Sequence, residues 1–157
     1  EALEIIKKKD FTFILSLLII DETDNADYFL FKYNLPKQSR EKVIFLKNNF
    51  QNIFSNNYFN ETNLKKIYYE TNKHYLEDLI DFKIFKTKKI SKKIIDLKNF
   101  FSHFPKPIFP IKAKYLIDNY NLKEGVALGQ KLNKLEKMWI DNNFKISNKE
   151  IEIIARD

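Results

Sequence analysis

Apolar residues recur at three- and four-residue spacing along nearly the whole chain, and no stretch of useful length alternates as a strand would. The run Leu-Glu-Ile-Ile-Lys-Lys-Lys at residues 3–9 reads as the tail of a helix that starts upstream. Residues 11–20 are apolar all round, which predicts a helix buried in the core. A short helix is expected over residues 26–34. Pro36 suits the start of the next one, in which Val43, Leu46, Phe50 and Ile53 share a face. Asn60 or Thr62 is placed to cap a further helix. Tyr75, Leu79, Phe82 and Phe85 mark one side of another, and the next begins at Ser91 and reaches about His103. The pattern predicts an all-α fold, an irregular multi-helix array of about eight or nine helices without a sheet.

Three prolines within six residues, Pro105, Pro107 and Pro110, interrupt that pattern. Each fixes its own φ and restrains its predecessor, so this stretch is an extended linker. The expected organisation is a helical body over residues 1–104 and a helical tail over 105–157. In the tail a short helix precedes a turn, and a long helix starts near Gly125. Ser147 and Glu150 have the spacing of a capping box for a last helix.

Composition changes the picture in three ways. The chain is 44% hydrophobic and 15% aromatic, which is globular rather than disordered. Its richness in Ile, Lys, Asn, Phe and Tyr reads as the codon bias of an AT-rich genome, so lysine number alone does not mark a nucleic-acid surface. It has no cysteine, which excludes disulfides, thiolate chemistry and cysteine-built zinc sites. A reducing, cytoplasmic location fits that absence. The longest apolar run, residues 13–20, is far shorter than the roughly 20 residues of a membrane span, and no membrane partner is expected. No signal peptide is evident, and the first residue is not Met, so a piece of a longer polypeptide is expected.

Charge position says more than charge number. The net charge is +7, yet residues 1–30 carry seven acids against three lysines. Residues 83–114 carry ten lysines and one acid, Asp96. Such a basic stripe is the footprint expected of a polyanion binder, and Lys88, Lys89, Lys92, Lys93, Lys112 and Lys114 are its candidates.

Other constellations read more plainly. Asp21, Asp24 and Asp27 fall at every third position with no glycine following, unlike a calcium loop, and suit a helix N-terminus. His74 and His103 have no partner at ligand spacing. Glu77, Asp78 and Asp81 read as a solvated helix edge. No catalytic or metal-binding residue is assigned, and no P-loop, dinucleotide fingerprint or Ser-His-Asp order occurs. The two glycines, Gly125 and Gly129, stand four apart beside Lys123, Lys131 and Lys134. Gly125 at a helix start would leave amides open to an anion. Gly129 one turn on would allow close packing.

The stretch from Phe109 to Phe144 resembles the C-terminal segment of bacterial CCA-adding enzymes, the tRNA nucleotidyltransferases also described as poly(A) polymerases. Their pattern there runs approximately F-P-L/I-x-G-x-D-L, then a glycine-proline turn with a second glycine four residues on, then L-x-x-L and a late W-I/L. Phe109, Pro110, Ile111, Leu116, Gly125, Gly129, Leu132, Leu135 and Trp139 match it. Leu35 and Glu41 match a helix of the family's body. Ala113, Tyr115, Glu124 and Val126 depart from it. The resemblance implies a tRNA-binding part that holds the acceptor–TΨC arm. An N-terminal head of the same polypeptide, with magnesium, CTP and ATP, would add CMP and AMP. The head's Gly-Ser loop and paired carboxylates are missing from this chain, so it carries no cofactor and is predicted inactive alone. Two alternatives stand beside it: the same region of a poly(A) polymerase, and a stand-alone helical protein-interaction module that binds a partner by an apolar groove and that a large exposed aromatic patch would favour.

Overall fold

A computed structural model describes residues 2–55 and 57–157, with the side chains of Ala2 and Leu3 left aside. Its helices, in chain order, are α1 (Ala2–Ile6), α2 (Phe11–Ile19), α3 (Asn25–Lys32), α4 (Lys37–Asn48), α5 (Glu61–Glu70), α6 (Lys73–Thr87), α7 (Lys92–His103), α8 (Ala113–Tyr120), α9 (Val126–Asp141) and α10 (Asn148–Arg156). Nine of these ten have seven residues or more, and no strand occurs among the described residues. The fold is all-α. No helix among the described residues is long and apolar enough to cross a membrane.

Helix starts follow local chemistry. Asp10, Asn60, Asn72 and Ser91 accept a backbone N–H from the first turns of α2, α5, α6 and α7. Ser147 and Glu150 complete a reciprocal capping box on α10. The apolar pattern that reached Phe54 from Pro36 is not one helix. α4 ends at Asn48, where the Asn49 side chain donates to the Phe45 carbonyl, and a 3₁₀ turn (Gln51–Phe54) follows.

The chain divides into two compact units, one ending at Lys106 and the other beginning at Pro107. In the first, α6 is the central helix and packs against α2, α4, α5, α7 and the 3₁₀ turn. Val43, Leu46, Ile53, Leu64, Leu79, Ile80 and Phe82 are fully buried around it. The expected core position of α2 is only half right. Phe13, Ser16 and Ile20 are buried, but Phe11 is 73% exposed, Ile14 38% and Leu18 75%. One face of an all-apolar helix is therefore bare in this unit. In the second unit α8, α9 and α10 enclose Leu116, Leu135, Ile151 and Ile154.

Scarcity of glycine shows at the helix C-termini, whose last carbonyls have no intrahelical donor. Glycine caps are commonest there, and this chain has only two glycines. Cations from other elements serve instead. Lys86 donates to the Leu17 and Ile20 carbonyls at the end of α2, and Arg40 to Leu30 in α3. Lys83 donates to Ile53 in the 3₁₀ turn, Lys106 to Thr71 beyond α5, Lys73 to Ser102 in α7 and Lys131 to Ile154 in α10. After α6, α8 and α9 non-glycine residues turn left-handed: Lys88, Asn121, and Asn143 with Phe144.

Candidate polyanion-binding surface

The capping lysines sort the basic stripe into two sets. Lys83, Lys86 and Lys106 are taken up by backbone carbonyls, and Lys98 lies 2.5 Å from Asp81. Burial pushes the ammonium pKa values of Lys83 and Lys86 down; the charge of Lys93 lowers Lys83 further, while that of Asp21 raises Lys86 in part. Four lysines stand at the surface of the α6–α7 corner. Lys88 turns the chain at φ 52°, Lys89 follows, and Lys92 and Lys93 open α7; all four are exposed. Positive side chains in the first turn of a helix oppose the positive end of its dipole. Lys92 and Lys93 also border a shallow hollow of about 410 Å³ that contains Glu61, Asp96, Leu97 and Phe100.

The remaining predicted residues belong to the second unit. Lys112 precedes α8 as its N-cap, and Lys114 stands exposed in its first turn. Lys123 is exposed ahead of Gly125. Gly125 is the N-cap of α9 at φ 147° and ψ −171°, a conformation that side chains other than glycine's hydrogen rarely allow. It supplies no side-chain cap, and Val126 and Ala127 beside it are exposed, so the α9 N-terminus is open. Gly129 differs from its expected role. It is exposed, and a Cβ built on it would meet nothing within 4 Å, so no close packing requires a glycine there. Lys131 and Lys134 point to the end of α10, the first to the Ile154 carbonyl and the second to Asp157 at 2.9 Å, and not to the open α9 N-terminus.

A second polar assembly was not legible as one. Asp78 and Asp81, expected on a solvated edge, are 6% and 2% exposed. Three ammoniums reach them: Lys9 lies 2.7 Å from each, Lys42 2.5 Å from Asp78, and Lys98 on Asp81. Lys42 also meets Asp10 at 2.7 Å. Desolvation alone would lower the Lys9 ammonium, but Asp78 and Asp81 overcome it and hold its pKa above the usual value. These six side chains balance in charge and line a cleft of about 480 Å³ together with His74 and Glu77. No buried side-chain polar atom among the described residues lacks a partner, so the assembly is a satisfied structural clamp. The clue in the sequence is Phe85, which falls between Asp78 and Asp81 around α6, while Leu76, Leu79, Ile80, Phe82 and Ile84 fill the rest of the helix.

The acidic run also resolves locally. Asp21 accepts from the Thr23 N–H and hydroxyl and from the Asn25 amide, and Asp27 pairs with Lys47. No group of three or more His, Asp or Glu among the described residues is placed to hold a metal ion. Searches against protein-family models, curated proteins and solved structures find no match for this chain.

Proposed function

We propose that this chain is the tRNA-binding body and tail of a CCA-adding tRNA nucleotidyltransferase, acting in the cytoplasm. The observation that carries the reading is the α6–α7 corner, where Lys88, Lys89, Lys92 and Lys93 are exposed within six residues. A corner of exposed ammoniums suits an A-form stem, which proteins grip by phosphates, shape and 2′-hydroxyls. Lys112, Lys114, Lys123 and the open α9 N-terminus at Gly125 offer the second unit's contribution. The resemblance over residues 109–144 supplies the tRNA and the reaction. The transfer itself, with magnesium, CTP and ATP, belongs to an N-terminal head.

The test is tRNA binding by fluorescence anisotropy across a salt series. Neutralising about five phosphates gives a slope of log K against log salt near −4. Changing the four corner lysines to glutamine should weaken binding at least about tenfold and flatten that slope by several units. A flat wild-type slope, or equal binding by the variant, rejects the reading. A Gly-Ser loop and an Asp-x-Asp pair encoded upstream of Glu1 would supply the head; their absence there removes the transferase.

A further inference from the structure

The bare face of α2 runs against what its sequence asks for. Phe11, Ile14 and Leu18 fall at i, i+3 and i+7, within one narrow arc of the helix; Phe11 and Leu18 are mostly uncovered and Ile14 is partly so. α3 packs against α2 and leaves Tyr28 60% and Phe31 90% exposed. Large apolar side chains bared in line along a helix, with more on its neighbour, mark a binding surface rather than scattered exposure.

The surrounding charge selects what covers it. Residues 10–31 contain five acids and neither lysine nor arginine, in a chain whose net charge is +7. Asp10 and Asp27 are matched by Lys42 and Lys47, but Glu22 and Asp24 stand exposed just beyond the end of α2. The carbonyl end of α2 is held by the Lys86 ammonium, so the negative charge there rests with the exposed Glu22 and Asp24. These two carboxylates favour a cation-bearing apolar ligand over an anionic one.

We propose that the open α2 face is the docking site for a cationic amphipathic helix of a protein partner, its apolar residues on Phe11, Ile14 and Leu18 and its lysines or arginines toward Glu22 and Asp24. A helix laid in this way meets the i, i+3, i+7 anchors with its own. The proposal stands apart from RNA binding, since it uses different residues of opposite charge.

The probe is a labelled 18-residue synthetic helix with leucines at i, i+3, i+4 and i+7 and lysines elsewhere, titrated with the whole chain. A second peptide carries glutamates in place of the lysines. Saturable binding of the lysine peptide is expected, weakened at least about tenfold by Leu18→Lys and several-fold by Glu22→Lys, with little binding of the glutamate peptide. Both positions are exposed, so the melting temperature should stay put; if Leu18→Lys lowers it, Phe11→Ser replaces that variant. Equal binding by wild type and variants, or by the two peptides, overturns the proposal. So does self-association in light scattering that Leu18→Lys abolishes, which would make a second copy the occupant. Cosedimentation with phosphatidylcholine vesicles abolished by the same change would overturn it in favour of a lipid surface.

Discussion

The Nζ of Lys9 lies 2.7 Å from a carboxylate oxygen of Asp78, a residue 69 positions further along the chain. Together with Asp81 this contact fastens the segment between α1 and α2 to the central helix. Removing one side of a buried pair destabilises by about 3–5 kcal/mol when the other charge is left unmatched, but Lys42 and Lys98 still reach Asp78 and Asp81 here. Lys9→Met is therefore expected to lower the unfolding free energy by less, about 1–2 kcal/mol in urea titrations. A loss below about 1 kcal/mol would show that water reaches Asp78 and Asp81 and that the clamp is soft.

Acid should loosen this corner. Desolvation raises the Asp10 carboxyl, but the Lys42 ammonium and the Phe13 N–H overcome it and hold its pKa below the ordinary 3.8. The unfolded chain binds that proton more readily, so the stabilisation is fully present above 3.8 and is lost as pH falls through the lower folded value. Asp10→Asn keeps an acceptor for the Phe13 N–H and removes the charge. It should cost stability at about pH 7, cost progressively less as the pH falls below 3.8, and give a flatter acid limb in melts followed by circular dichroism. An acid limb identical to wild type would exclude Asp10 from acid unfolding.

The two glycines should respond with opposite signs. Gly125→Ala places a Cβ on a backbone at φ 147°, and a conformation of that kind destabilises by about 1–3 kcal/mol even in open space. Gly129→Ala adds a helix former at an exposed helical site and should stabilise by about 0.5–1 kcal/mol. Thermal melts of the two variants measure both. A drop for Gly129→Ala would reveal a packing role that the fold does not show.

Lysines only a few residues apart should behave differently. Lys86→Met leaves the Leu17 and Ile20 carbonyls at the end of α2 without their donor and should cost about 1–3 kcal/mol. Lys89→Met, at the exposed corner, should cost less than about 0.5 kcal/mol and act on polyanion affinity instead. Equal losses in denaturant titrations would mean that the stripe is not divided into structural and surface sets.

What could be read from sequence follows from how local each feature is. Ser91, Asn60 and the Ser147–Glu150 box act within one turn, and the sequence places all of them. Burial is set by neighbours, and there the apolar pattern misleads twice. α2 is apolar all round yet has one bare face, whereas α6, read from one face, is the buried axis of its unit. Asp78 and Asp81 looked solvated because the lysines that match them come from α4, α7 and the segment before α2. Of the candidate lysines, Lys88, Lys89, Lys92 and Lys93 are exposed, while Lys131 and Lys134 face the end of α10. No spacing rule reveals that a lysine serves a distant carbonyl.

A glycine cap is complete as soon as its own helix forms. The ammonium at the end of α2 comes from Lys86, which arrives only when α6 has docked, 66 or more residues later in the chain. The ends of α3, α5, α7 and α10 likewise wait for Arg40, Lys106, Lys73 and Lys131. Helices fastened in this way fray alone and tighten together. A chain so short of glycine thus gains cooperativity within each unit, with the melting of one helix end felt by the element that lent it a lysine.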